Sequence, residues 1–109
     1  KGATHMEITY KTHSIEPVFN RVQISYQDLM YASQNMTPTS FRIYLYIIGH
    51  PNKEVTRDDI IKYFHCENKT LWTARQEMIK IGAGSIDGDT FTCYNTIWGE
   101  NKKYVPEWV

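Results

Sequence analysis

Val55-Thr56-Arg57-Asp58-Asp59-Ile60-Ile61-Lys62-Tyr63-Phe64-His65-Cys66-Glu67-Asn68-Lys69-Thr70-Leu71-Trp72-Thr73-Ala74-Arg75-Gln76-Glu77-Met78-Ile79-Lys80-Ile81-Gly82 is the stretch on which the fold turns. Thr56 is placed as an N-cap, with Asp59 three residues on as its capping-box partner. Val55 before the cap and Ile60 at the fourth helical position form a hydrophobic staple, and Asp58 and Asp59 complement the helix dipole. Ile60, Ile61 and Phe64 supply the buried face of a short helix that stops near Phe64. Within three or four residues a second helix begins around Asn68, which the spacing predicts to be its cap. That helix carries Leu71, Ala74, Met78 and Ile81 on one face and ends at Gly82.

Upstream, Thr37-Pro38 is an N-cap followed by proline at the first helical position. Phe41, Tyr44, Leu45 and Ile48 recur at helical spacing as a buried stripe, and Tyr46 and Phe64 read as further core. Gly49 is expected to end this helix in the left-handed conformation, with Pro51 preventing its resumption. Ser25, three residues before Asp28, starts a shorter helix that runs to about Ala32. Residues 7–13 and 18–24 read as two short strands or an extended arm.

Beyond Gly82 the period changes. Ser85-Ile86 and Thr90-Phe91-Thr92-Cys93-Tyr94 flank Asp87-Gly88, a dipeptide that predicts a two-residue type I′ hairpin turn. The tail from Asn95 to Val109 has no clean period but holds Trp98, Tyr104 and Trp108, expected to pack on the body or on a partner. Lys1 to His5 read as a tag remnant, so the chain divides into 1–5, an N-terminal extension 6–36, a core domain 37–94 and the tail 95–109.

The 109 residues suit one domain, and 41% hydrophobic with 14% aromatic content is too apolar for a disordered chain. The longest apolar run, Ile43 to Ile48, falls far short of a membrane span, and no secretory leader is expected. Twelve basic residues balance twelve acidic ones, and without the tag lysine 11 face 12. Nucleic-acid binding would therefore depend on how charge is arranged. Cys66 and Cys93 lack metal-ligand spacing and read as free, structural thiols; a zinc site with His65 is disfavoured, and no metal or cofactor is expected. His13, His50 and His65 are scattered. No phosphate loop, nucleophile elbow or ligand pair is present, so an enzyme is not expected.

Helix, short helix, tight turn, helix and hairpin is the order of a winged helix-turn-helix domain, an α+β fold with a three-helix core and a short β-hairpin wing. Residues 37–48, 55–61 and 68–74 resemble the winged-helix proteins of bacterial phages and plasmids, in particular their replication-initiator and regulatory proteins. The resemblance covers about residues 22–94. It implies a cytoplasmic bacterial protein that binds double-stranded DNA, often as a homodimer on a repeated or palindromic site, in transcription control, replication initiation or partition.

Under that resemblance the helix from Asn68 enters the major groove. Lys69, Thr70, Thr73 and Gln76 are the expected base readers, since Gln matches adenine, Lys reaches guanine and Thr touches a thymine methyl. Lys53, Arg57, Asn68 and Lys80 are the expected backbone contacts. Trp72 is expected to pack or to meet a second subunit, with Trp98, Tyr104 and Trp108 as further interface residues. Three departures stand out. Glu67 occupies a position where Ser or Thr is usual. Arg75 lies where a buried leucine is common, and so should pair with an acid or turn to the surface. Residues 82–100 carry Asp87, Asp89 and Glu100 but no cation, which excludes a phosphate-gripping wing and favours, as a second reading, a protein-binding role for the hairpin and tail.

Overall fold

The computed structural model describes residues 8–13, 22, 24–50, 54–95 and 97. Along the chain run β1 (Thr9–His13), α1 (Tyr26–Asn35), α2 (Pro38–Ile48), β2 (Val55–Thr56), α3 (Arg57–Phe64), α4 (Asn68–Ile81), β3 (Gly84–Asp87) and β4 (Thr90–Tyr94). Four helices pack with one mixed sheet of order β2-β1-β4-β3, so the described residues form a small α+β unit. No helix among them is long and apolar enough to cross a membrane.

β1 comes from the segment read as an extension, yet it lies inside the sheet. It runs antiparallel to β2, with Tyr10 opposite Val55, and parallel to β4, with Tyr10 opposite Phe91. Tyr10 and Thr12 face the core while Lys11 faces outward, the two-residue alternation of a half-buried strand. Thr12 Oγ1 donates to the Cys93 carbonyl at 3.3 Å, and Thr9 N–H donates to the Asp89 carbonyl at 2.8 Å. The arm from 18 to 24 lies largely outside the described residues.

The helical signals around α3 and α4 are realised. Asp59 N–H donates to Thr56 Oγ1 at 3.1 Å and Thr56 N–H to Asp59 Oδ2 at 3.0 Å, a closed capping box. Leu71, Ala74, Met78 and Ile81 are buried, and Gly82 ends α4 at φ 83°. Ser25 caps α1 through Asp28 N–H, and the helix runs on to Asn35.

Several expectations change. Gly49 is not left-handed: its φ is −82° and ψ 0°. A Cβ there would stand 3.0 Å from the Leu45 carbonyl oxygen and 3.4 Å from Val22 Cγ2, a tight fit that glycine avoids. The left-handed cap falls instead on His65, at φ 53°, closing α3. The buried stripe of α2 is Ile43, Tyr44, Ile47 and Ile48; Phe41, Leu45 and Tyr46 sit at the core margin. On α3 Ile60 alone is fully buried, with Ile61 and Phe64 half-buried. The hairpin turn is Gly88-Asp89, one residue later than expected, because Asp87 pairs with Thr90. Positive φ occurs at Gly88 only, so the type I′ requirement of two left-handed residues does not arise. Gly84 permits the hairpin to close on the core: a Cβ there would meet the Phe91 ring at 2.5 Å.

Glu77 links two helices. Thr37 N–H donates to its Oε1 at 2.7 Å and Thr37 Oγ1 to its Oε2 at 3.0 Å, so a carboxylate on α4 caps α2. Thr37 has no capping bond of its own to the α2 backbone. Glu77→Ala should therefore cost about 1–2 kcal/mol in chemical denaturation, the range of a lost helix cap. His65→Gly should raise stability by up to about 1 kcal/mol in the same experiment, because glycine adopts the left-handed region without the penalty of a Cβ.

Candidate nucleic-acid interface

α4 has two outward faces with different chemistry. Lys69, Thr73, Gln76 and Lys80 follow one another at i, i+4, i+7 and i+11, directly opposite the buried stripe. Lys69, Gln76 and Lys80 are exposed and Thr73 is half-buried. This is the outermost ridge of the helix. Thr70 lies a third of a turn away, half-buried on the side of Glu77, and so stands off the ridge. Lys80 is eleven residues beyond Lys69, about 16 Å along the axis, at the far end of the ridge.

The second face looks toward β1 and the start of α3. Here Tyr10, Arg57, Asn68, Lys69, Leu71, Trp72 and Arg75 line a cleft of about 300 Å³. Its three charged lining residues are cations drawn from two helices, and no carboxylate lines it. Arg57 approaches Asp58 Oδ1 at 3.3 Å, on the exposed shoulder outside the cleft. Tyr10, on β1, forms the floor with Leu71. Burial pushes the Tyr10 phenol up to about 12, opposed by the positive charges of Arg75 and Arg57. Trp72 is 53% exposed at the cleft mouth, and no neighbouring segment among the described residues buries it.

Arg75 satisfies neither expectation. It pairs with no acid among the described residues and does not turn to the surface; it is half-buried, with a buried Nε that meets no acceptor. Asn68 is not the cap of α4. Glu67 is, through its carbonyl, which accepts from Thr70 and Leu71 N–H, while its side chain makes no capping bond. Asn68 thereby becomes the first helical residue and joins the cleft. Glu67 is exposed and does not line it.

Of the expected backbone contacts, Arg57 and Asn68 come together beside Lys69, whereas Lys80 stands apart. Lys53, Trp98, Tyr104 and Trp108 lie outside the described residues; Ile97, from the same tail, is buried in the core. Sequence reasoning missed Tyr10 and Arg75 as parts of this site. Arg75 was legible as an anomaly, a cation at a leucine-like position. Tyr10 was not, because only the insertion of β1 into the sheet brings it there.

The hairpin exposes Asp87, Asp89 and Ile86. Cys93 is buried with its sulfur 3.6 Å from that of Met78, and burial raises its thiol well above the usual range; Cys66 is half-buried in the turn between α3 and α4. No group of three His, Cys, Asp or Glu gathers among the described residues. Comparison with known proteins gave no match to a family, to a curated protein or to a solved structure.

The phenol of Tyr10 carries a consequence for stability. Its folded value exceeds the ordinary 10, so the folded chain retains a proton that the unfolded chain releases. Stability should then fall as pH rises from about 10 to about 12, and Tyr10→Phe should reduce that slope in denaturation curves measured across the range.

Proposed function

We propose that this chain is a winged helix-turn-helix domain that binds double-stranded DNA in a sequence-dependent manner. The observation that carries this reading is the polar ridge of α4 beside a cleft whose charged lining residues, Arg57, Lys69 and Arg75, are all cations. α2, α3 and α4 correspond to the three-helix core and β3–β4 to the wing. α4, 14 residues long and about 21 Å from end to end, has the length to lie in a major groove. Lys69, Thr73 and Gln76 would face base edges, where Gln76 can pair bidentately with adenine and Lys69 can donate to guanine. Arg57 and Asn68 would hold a backbone strand beside the ridge, and Lys80 a second strand at its far end. Thr70, turned toward Glu77, is the weakest of the expected base readers.

The wing takes no part in holding phosphate. Asp87 and Asp89 at its tip are exposed, and residues 82–100 include no cation, so affinity would come from α3 and α4. The resemblance to phage and plasmid proteins extends the proposal to a homodimer on a repeated or palindromic site, acting in the bacterial cytoplasm in transcription control, replication initiation or partition, without enzymatic activity. Two half-sites would add their phosphate contacts and offset the low net charge. A second reading, docking of a protein on the hairpin, is favoured by one feature: Ile86 is 45% exposed on the hairpin next to Asp87.

Fluorescence anisotropy against salt tests the DNA reading. Lys69→Ala and Arg57→Ala should each weaken binding and reduce the slope of log K against log salt by about one. Gln76→Ala should leave the slope unchanged and relax base preference, by about 1–3 kcal/mol at one position. Absence of binding to any duplex at low salt would overturn the reading.

A further inference from the structure

Four residues stand in one row across the sheet: Val55 on β2, Tyr10 on β1, Phe91 on β4 and Ile86 on β3. The first three are buried, whereas Ile86, at the end of the row, is 45% exposed. The apolar row on the helix side of the sheet thus runs one strand further than the core covers it. β3 is also an edge, since among the described residues it pairs with β4 alone. The opposite edge, β2, is only two residues long. β3 has four residues, runs without a bulge and holds neither lysine nor proline, the usual devices that keep an edge from pairing. Asp87, at its end, is the one charge on the strand.

The backbone of β3 shows what that edge can accept. Tyr94 N–H donates to the Ala83 carbonyl at 2.8 Å, and the pairing continues in register to Asp87 opposite Thr90. Backbone direction alternates along an antiparallel pair, so Ala83, Ser85 and Asp87 turn their groups toward β4. Gly84 and Ile86 turn theirs to the open edge. An edge built this way is its own complement.

We propose that β3 is a homodimer interface, pairing antiparallel with β3 of a second copy about a two-fold axis at Ser85. Gly84 of each copy then lies opposite Ile86 of the other, and the two strands exchange four backbone hydrogen bonds. Each Ile86 comes to rest beside a glycine, which has no side chain to exclude it. Asp87 falls opposite Ala83, so the two Asp87 carboxylates stand about 14 Å apart along the strands. That is beyond the roughly 10 Å over which exposed charges interact at ordinary salt. An axis at Ile86 would halve this spacing and set Gly84 beyond the end of the facing strand. Because each copy has one such edge, association closes at two. The pairing supplies the interface of the homodimer proposed above; it rests on that reading only for the second copy, and stands or falls apart from DNA binding.

Sedimentation of the intact chain without DNA, between about 10 μM and about 1 mM, tests the proposal. The dimer should grow with concentration, and nothing larger should form. Amide hydrogen exchange is read over the same range. The Gly84 and Ile86 amides should slow as the dimer grows, while those of Ser85 and Asp87, already bonded within the hairpin, keep their rates. Ile86→Lys should weaken association about tenfold or more, because a lysine on an edge strand opposes pairing. Tyr63→Ser, which alters an exposed side chain on α3, should leave association unchanged. A chain that stays monomeric throughout would overturn the interface. So would assemblies larger than two, a dimer that Ile86→Lys leaves intact, or one in which Gly84 and Ile86 exchange as in the monomer. Duplex binding by a chain that remains monomeric would sink the β3 interface and leave the DNA reading in place. A β3 dimer that binds no duplex would do the reverse. Exchange is read in the unmodified chain, so a folding defect in Ile86→Lys does not decide the result.

Discussion

Tyr10 is where sheet, core and cleft meet. Its backbone pairs with Val55 on one side and Phe91 on the other, so it joins the two-residue strand before α3 to the hairpin after α4. Its ring stands 5.7 Å from that of Phe91 in the core, and the same residue floors the cationic cleft. β2 is only two residues long, and its second residue, Thr56, is also the cap of α3. Pairing with β1 therefore sets where α3 begins, and with it where Arg57 stands relative to α4. Without β1 the short β2 would have no neighbour in the sheet, and the floor of the cleft would be missing.

The neutral composition conceals a division of labour among charges. Asp59 is committed to the capping box of α3 and Glu77 to the N-terminus of α2. Asp28 is buried against the core, while Asp87 and Asp89 gather at the hairpin tip. These acids serve helix ends, the core or the far edge of the sheet; Asp58 pairs with Arg57, and the cations Arg57, Lys69 and Arg75 share one cleft. A sum over the chain averages these away. What the field near α4 depends on is placement, since charges more than about 10 Å apart in solvent are largely screened.

Local signals were legible where their chemistry closes within a few residues. The Thr56–Asp59 box, the Ser25 cap, the Gly82 terminus and the Leu71-Ala74-Met78-Ile81 stripe each depend on backbone geometry that three or four residues complete. Signals failed where a neighbour distant in sequence decides. Gly49 resembles a left-handed cap, but its backbone is right-handed, and what glycine eases is the close approach of the Leu45 carbonyl. Asp87-Gly88 looks like the turn, yet the pairing of Gly84 with Cys93 and of Asp87 with Thr90 moves the turn one residue on. Asn68 has the side chain of a cap, and Glu67 holds the position because the tight turn after His65 ends there.

The amino-acid order alone was enough for four helix starts, the α4 core face and the polar ridge opposite it. Those features arise from periodicity and capping, which act over one helical turn. Only the tertiary structure set β1 inside the sheet, brought Glu77 to the N-terminus of α2, and gave Arg75 a cleft to line. These depend on strand pairing and on contacts as far as 81 residues apart, such as Thr12 with Cys93. Such contacts leave no local period to read, because each partner looks ordinary until the chain brings the two together.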